Sequence, residues 1–253
     1  MKWIYNGRVL VPVLLTLSVF APVSAAEPIV AEGITEPFQD VLMSPAGPGI
    51  IHAHFCKEGD AVDAGQVVIE QHKTLQELEV ERRRVAMDTS RIDYEGTQAL
   101  YDRTKSVSRD EVMNKESIYK VSLAELAIAE EQLKLRQIIS PFSGYVVEIF
   151  RDVGESSQQD EPLIRLVDNS KCYLVCNIEA RIGYDLEMDQ EIRVEIDAGR
   201  NPVVMQGHVS FVSPIVDPAS GLLKVKVLFD NPAGKVRPGV AGRMFFASPT
   251  NGN

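Results

Sequence analysis

From Gln71 to Ile138 the sequence holds a single glycine, Gly96, and no proline, and it is dense in Glu, Arg, Lys, Leu and Ala. A stretch of that length without turn residues, built from strong helix formers, can fold into little other than long helices. A break falls at Thr104–Val107. After it, Ser108 stands three places before Glu111, the spacing at which a serine hydroxyl and a following acid cap a helix N-terminus. The segment reads as two helices of about 30 residues each, an antiparallel hairpin about 45 Å long.

The apolar residues of the hairpin are periodic. Leu78, Val85, Ile92 and Ala99 recur at seven-residue intervals, and Val80, Met87, Tyr94 and Tyr101 repeat that interval two places later. In the second helix the rows are Val112, Tyr119, Leu126, Leu133 and Val121, Ile128, Leu135. Such repeats belong to helices packed as coiled coils. Two places along a helix is about 200° around it, so each helix carries apolar residues on two opposed faces. One face can close the hairpin. The other needs a partner, either within a globular domain or on a neighbouring chain. The neighbouring chain is the expectation taken forward, with Met87, Tyr94, Tyr101, Val121 and Ile128 on the outward face.

Both flanks of the hairpin carry the same β motif. Ser44-Pro45 corresponds to Ser140-Pro141, and Gly49 precedes Gly59-Asp60 by the same interval as Gly144 precedes Gly154-Glu155. Gly65-Gln66-Val67-Val68 lies over Asp160-Glu161-Pro162-Leu163. Two copies of one β unit, at 41–70 and 139–168, therefore flank the inserted hairpin at 71–138. Downstream, strand-like runs at Cys172–Ile178, Glu191–Ile196, Gln206–Val212, Leu222–Phe229 and Arg243–Phe246 are separated by turns at Pro202, Asp217-Pro218 and Asn231-Pro232. That spacing predicts a small antiparallel β-barrel over 169–247, with one short helix within Arg181–Asp189. Residues 26–40, with Pro28 and Pro37, read as a loose lead-in, and 248–253 as a tail. The fold class is mainly β, a split β domain plus a barrel, with an inserted α-helical coiled-coil hairpin.

The first 25 residues read as targeting. Lys2 and Arg8 give a basic start, Val9–Phe20 is a short apolar run, and Val23-Ser24-Ala25 offers a small-residue cleavage pattern. The run is short of the roughly 20 apolar residues a membrane span needs. Export with cleavage is the expectation, and a retained anchor the alternative. The formal charge is −10, and cleavage would remove Lys2 and Arg8 and no acid. So acidic a chain is poorly suited to nucleic acid or to an anionic membrane surface. Of the three cysteines, Cys172 and Cys176 fall on one strand roughly 13 Å apart, beyond disulfide reach, and all three read as apolar fillers.

His52, His54 and Cys56 alternate along one strand, and three such ligands on a shared face could begin a metal site. The preferred reading assigns no metal: these side chains lie on the outer face while Ile51, Ala53 and Phe55 pack inward. No Gly-x-Ser-x-Gly elbow, His-Glu-x-x-His helix or phosphate loop is present, and His72 and His208 have no acid or nucleophile partner nearby in sequence. Neither catalysis nor a cofactor is expected.

Taken in order, the two half-motifs, the hairpin between them and the barrel resemble the periplasmic adaptor, or membrane fusion protein, family. The half-motifs are similar to the two halves of a lipoyl/biotinyl carrier domain. The barrel adds Gly207-His208-Val209, Ser213-Pro214-Ile215-Val216-Asp217-Pro218, Asn231-Pro232 and Arg237-Pro238-Gly239. The resemblance spans about residues 40–247. It implies a non-catalytic, exported periplasmic protein that joins an inner-membrane transporter to an outer-membrane exit duct; the signal-peptide-like start and the barrel after the hairpin favour a transporter of the resistance–nodulation–division type. It also implies self-association into a ring, a hexamer in the family. The hairpin tip, Thr104, Lys105, Ser106, Val107, Ser108 and Arg109, would meet the duct. At positions before Ser108 where family members place Arg and Leu, this chain has Thr97 and Tyr101. An adaptor for an ATP-driven exporter or type I secretion system is the alternative, and a lipoyl or biotin carrier modified at Lys73 a remote one.

Overall fold

The computed structural model describes residues 29–199 and 201–246. The expected signal peptide, 1–25, and the tail, 248–253, lie outside the described residues. The elements are β1 (Ile29–Met43), β2 (Gly49–His54), β3 (Ala61–Val62), β4 (Val67–Gln71), α1 (Thr74–Thr104), α2 (Arg109–Lys134), β5 (Gln137–Ile139), β6 (Gly144–Ile149), β7 (Ser156–Ser157), β8 (Ile164–Glu179), α3 (Ala180–Gly183), β9 (Glu191–Ile196), β10 (Val203–Val212), β11 (Leu222–Asp230) and β12 (Ala241–Phe246).

The two β copies close on each other by reciprocal exchange. β3 of the first copy pairs with β6 of the second, and β7 of the second pairs with β2 of the first, both antiparallel. The exchange extends beyond the strands in matched bonds. Ile51 N–H donates to Glu155 O and Val146 N–H to Asp60 O, both at 2.9 Å; Gly154 N–H donates to Ile51 O and Gly59 N–H to Val146 O. Gly59 (φ 90°) and Gly154 (φ 94°) sit at equivalent turns in the left-handed region that side chains disfavour, which explains why both copies keep glycine there. Their shared core contains Ile51, Val68, Ile69, Val146, Leu163, Ile164 and Leu166.

Six strands, in the order β1-β12-β9-β10-β11-β8, form the barrel, and pairing of β1 with β8 closes it. Alternate residues of these strands, among them Leu174, Cys176, Val194, Val225, Val227, Phe229 and Met244, fill it. Asn231 is buried beneath the loop after β11. Its side-chain amide donates to Asn169 O and Val236 O and accepts from Val236 N–H.

Four expectations change. Within the expected lead-in at 26–40, the described residues are not loose: β1 runs from Ile29 as a 15-residue strand bonded first to β12 and then to β8. Pro37 stands at the register shift between Pro37 and Gln39, a bulge position at which strands accept proline. The boundary drawn at 168/169 falls inside β8, a continuous 16-residue strand that serves both β domains. The helix sought within Arg181–Asp189 is the single turn Ala180–Gly183. At the helical insert, Gln71 ends β4 and Gln137–Ile139 form β5, so the helices occupy 74–104 and 109–134.

Candidate assembly and docking surfaces

The hairpin closes along one heptad seam. Val80 and Leu126 are buried, Ala129 is buried beside them, and Met87 and Leu133 pack against this cluster. Farther toward the tip, Tyr94 stacks on Tyr119 with ring centroids 6.1 Å apart, and Ser90 and Val112 are buried. Ion pairs bridge the helices beside the seam: Arg83 with Glu125, Arg84 with Glu130 at 3.6 Å, and Lys115 with Asp93 at 3.1 Å. Their side chains are about one-third to one-half exposed, so each adds little to stability.

This seam corrects the face assignment. Met87 and Tyr94, expected to point outward, lie in the seam, and Tyr101, on the same heptad row, is half-buried, whereas Val121 and Ile128 are exposed. The outward row of α1 is Leu78, Val85 and Ile92, exposed at 63%, 58% and 63%; that of α2 is Val121 and Ile128, continued by its C-cap Leu135, at 56%, 59% and 54%. Both rows of α1 have the same period, so the repeat alone does not say which row is covered. Each outward row lies about 160–200° from its own seam row. The two rows therefore occupy the opposite backs of the hairpin, one on each helix.

The tip is built from local bonds. α1 ends with Lys105 in the left-handed conformation (φ 55°), its N–H donating to Tyr101 O and its Nζ over the Tyr101 ring at 3.9 Å. Thr104 Oγ1 and Ser106 Oγ are 2.7 Å apart, and Ser108 Oγ accepts from Glu111 N–H at 3.1 Å, capping α2 as the sequence predicts. Thr104, Lys105, Ser106, Ser108 and Arg109 are exposed, and Val107 is half-buried.

At its root the hairpin is tied to the β core by a polar network. Gln71 is fully buried and donates to Gly47 O and to Ser157 Oγ, while Arg136 donates to Pro48 O. Lys73, where a carrier lysine would be sought, is held by Glu70 at 2.7 Å and Glu77 at 3.7 Å. The bond from Lys73, aided by Gln137, keeps the Glu70 carboxyl below its usual range, and Glu70 in turn raises the Lys73 ammonium.

The proposed alternation of His52, His54 and Cys56 does not survive. A register shift between Ile51 and Ala53 and the end of β2 at His54 turn Cys56 into the core, while Phe55 becomes 55% exposed. Cys56 Sγ donates to Val68 O, His54 is half-buried, and His52 is exposed with its ring against that of His72. Among the described residues no group of three or more metal-ligating side chains is gathered.

In the barrel, Glu179 at the end of β8 pairs with Leu222 at the start of β11, so the 180–190 and 213–221 loops leave from one end, away from the segment of β8 that pairs with β6. Tyr184 and Ile215 in these loops are 77% and 74% exposed. Sequence reading missed them as a surface, although an isoleucine at a β-hairpin tip was a usable signal.

Among the described residues no helix is long and apolar enough to cross a membrane. Residues 174–250 match the family model of the CusB-like β-barrel domain. An uncharacterized protein of Haemophilus influenzae is 22% identical over 222 residues; the match covers 87% of this chain but 58% of that relative's length. Among solved structures, a MacA–MexA chimera containing the Pseudomonas aeruginosa MexA α-hairpin domain aligns with a TM-score of 0.78 at 18% identity, covering 88% of this chain and 83% of the other. The membrane fusion protein Spr0693 of Streptococcus pneumoniae R6 aligns at 0.69 and 16% identity, over 87% and 99%. A putative efflux transporter of Bacteroides eggerthii aligns at 0.70 and 18%, over 88% and 70%. The chain thus shares the fold of these solved structures, with a split β core, an inserted helical hairpin and a β-barrel, and its sequence over residues 174–250 matches the CusB-like β-barrel domain model.

Proposed function

We propose that this protein is a periplasmic adaptor that couples an inner-membrane transporter to an outer-membrane exit duct and catalyses no reaction itself. The observation that carries the reading is the pair of unpartnered apolar rows on opposite backs of the hairpin, Leu78–Val85–Ile92 and Val121–Ile128–Leu135. When the α1 back of one copy meets the α2 back of the next, the contact is heterologous, and repetition builds a ring when the rotation between copies closes. The family resemblance supports a hexamer. In such a ring the hairpin tips, Thr104 to Arg109, face the duct together. The exposed Tyr184 and Ile215 at the other end of the chain's β architecture suit the transporter. The barrel match, to a model for adaptors of resistance–nodulation–division pumps, supports that pump class.

Site-specific photo-crosslinkers at Ser106 and Ile215, in cells carrying the native partners, test the reading. Capture of an outer-membrane channel from Ser106 and a resistance–nodulation–division pump from Ile215 is expected. Capture of an ATP-driven exporter would replace the pump class, and capture of no transporter from Ile215 would defeat the coupling function. Intact-mass measurement should find Lys73 unmodified; a lipoyl or biotinyl adduct there would restore the carrier reading.

A further inference from the structure

We infer that His52 and His72 form a chelating site for a borderline first-row divalent metal ion such as Zn2+, at the root of the hairpin. His52 lies on β2, and His72 follows β4 just before α1. The His72 N–H donates to Ile50 O at 2.9 Å, which brings the two side chains together across the strands. Their ring centroids are 4.7 Å apart and the planes inclined at 48°.

That separation is compatible with a shared ion. A Zn–N bond of about 2.0–2.1 Å plus a ring radius of about 1.1 Å sets each centroid about 3.2 Å from the metal, so two imidazoles subtending about 90–109° have centroids about 4.5–5.2 Å apart. Both side chains are exposed, so the ion and the waters completing its shell have access from solvent. Imidazole nitrogen selects Zn2+, Ni2+ or Cu2+ over the oxygen-seeking Mg2+. A bound ion cross-links β2 to the residues entering α1, and so fixes the angle at which the hairpin leaves the β core. The site is independent of the coupling function and uses none of the surfaces assigned to it.

Isothermal titration of the untagged, purified chain with Zn2+ alone tests the site. Saturable one-to-one uptake is expected, unaffected by excess Mg2+. His52→Ala and His72→Ala each weaken it at least about tenfold. His208→Ala, at an exposed histidine on β10, leaves it unchanged. In the unaltered protein, Zn2+ shifts the imidazole NMR resonances of His52 and His72, a readout that requires no variant to fold. Absence of saturable uptake, or uptake that survives both substitutions, overturns the site. Uptake lost in His54→Ala but retained in His72→Ala overturns the ligand assignment.

Discussion

Leu126 and Ile128 stand two places apart on α2, are similar in size, and differ only in which face of the helix carries them. Leu126 is 7% exposed and sits in the seam among Val80, Met87, Ala129 and Leu133, whereas Ile128 is 59% exposed. Truncating a buried leucine to alanine costs about 2–5 kcal/mol, and a seam one layer deep, able to relax toward solvent, places Leu126→Ala near the lower end, about 2–3 kcal/mol. Ile128→Ala removes almost no buried contact in the single chain and replaces isoleucine by a better helix former, so its cost stays within about 0.5 kcal/mol. With a urea slope of about 2 kcal/mol/M, the seam variant loses about 1 M in midpoint and the outer variant almost nothing. Urea melts followed by circular dichroism at 222 nm, at concentrations low enough to keep the chain monomeric, measure both. Assembly reverses the order. Covering the exposed part of Ile128 against a neighbour removes about 80 Å² from water, about 2 kcal/mol per contact at about 25 cal/mol/Å². Sedimentation at high concentration should therefore show Ile128→Ala weakening self-association. Equal losses of urea stability in the two variants, or a larger loss for Ile128→Ala, would refute the seam.

Other substitutions probe the β architecture. At Gly33, where β1 passes from β12 to β8, an added Cβ would lie 2.2 Å from the Val175 carbonyl oxygen, which cannot retreat without breaking the ladder. Gly33→Ala should destabilise the barrel by about 1–3 kcal/mol or more, read as a lowered thermal midpoint; a variant as stable as the parent would contradict the pairing. Burial pushes the Cys172 thiol up to about 11 and the Cys176 thiol up to about 12, and raises Cys56 as well. All three should resist a thiol reagent at pH 8 in the native chain and react after denaturation, and fast native labelling of Cys172 or Cys176 would show the barrel core to be open. Arg165 forms a two-bond pair with Asp40 and, through that hydrogen bonding, holds the Asp40 carboxyl below its usual value. A depressed acid stabilises the fold above its unfolded pKa, about 3.9, and loses that contribution as pH falls through the folded value. Because the pair is about one-third exposed, the gain is below about 1 kcal/mol. The stability gap between the parent and Arg165→Ala should therefore shrink below about pH 4; a gap that widened there would show the sign to be wrong.

The sequence by itself determined the pieces whose rules are local. Gly59 and Gly154 mark matched turns because both need a positive φ, and the equal intervals before them reveal the duplicated β unit. The hairpin is legible from the absence of turn residues and from Ser108, whose side chain does cap Glu111 N–H. Other features required the assembled fold, because they depend on which equivalent surface meets which. The rows through Val80 and Leu78 share one period, and only helix-against-helix packing covers the first and leaves the second exposed. Pro37 disguises β1, whose strand state comes from ladders to β8 and β12, sequence-distant partners. A single register shift after Ile51 exchanges the faces of Phe55 and Cys56, and alternation counted along the chain cannot reveal it. His52 and His72 meet for the same reason: they lie on separate segments, and tertiary pairing brings two otherwise isolated imidazoles to 4.7 Å.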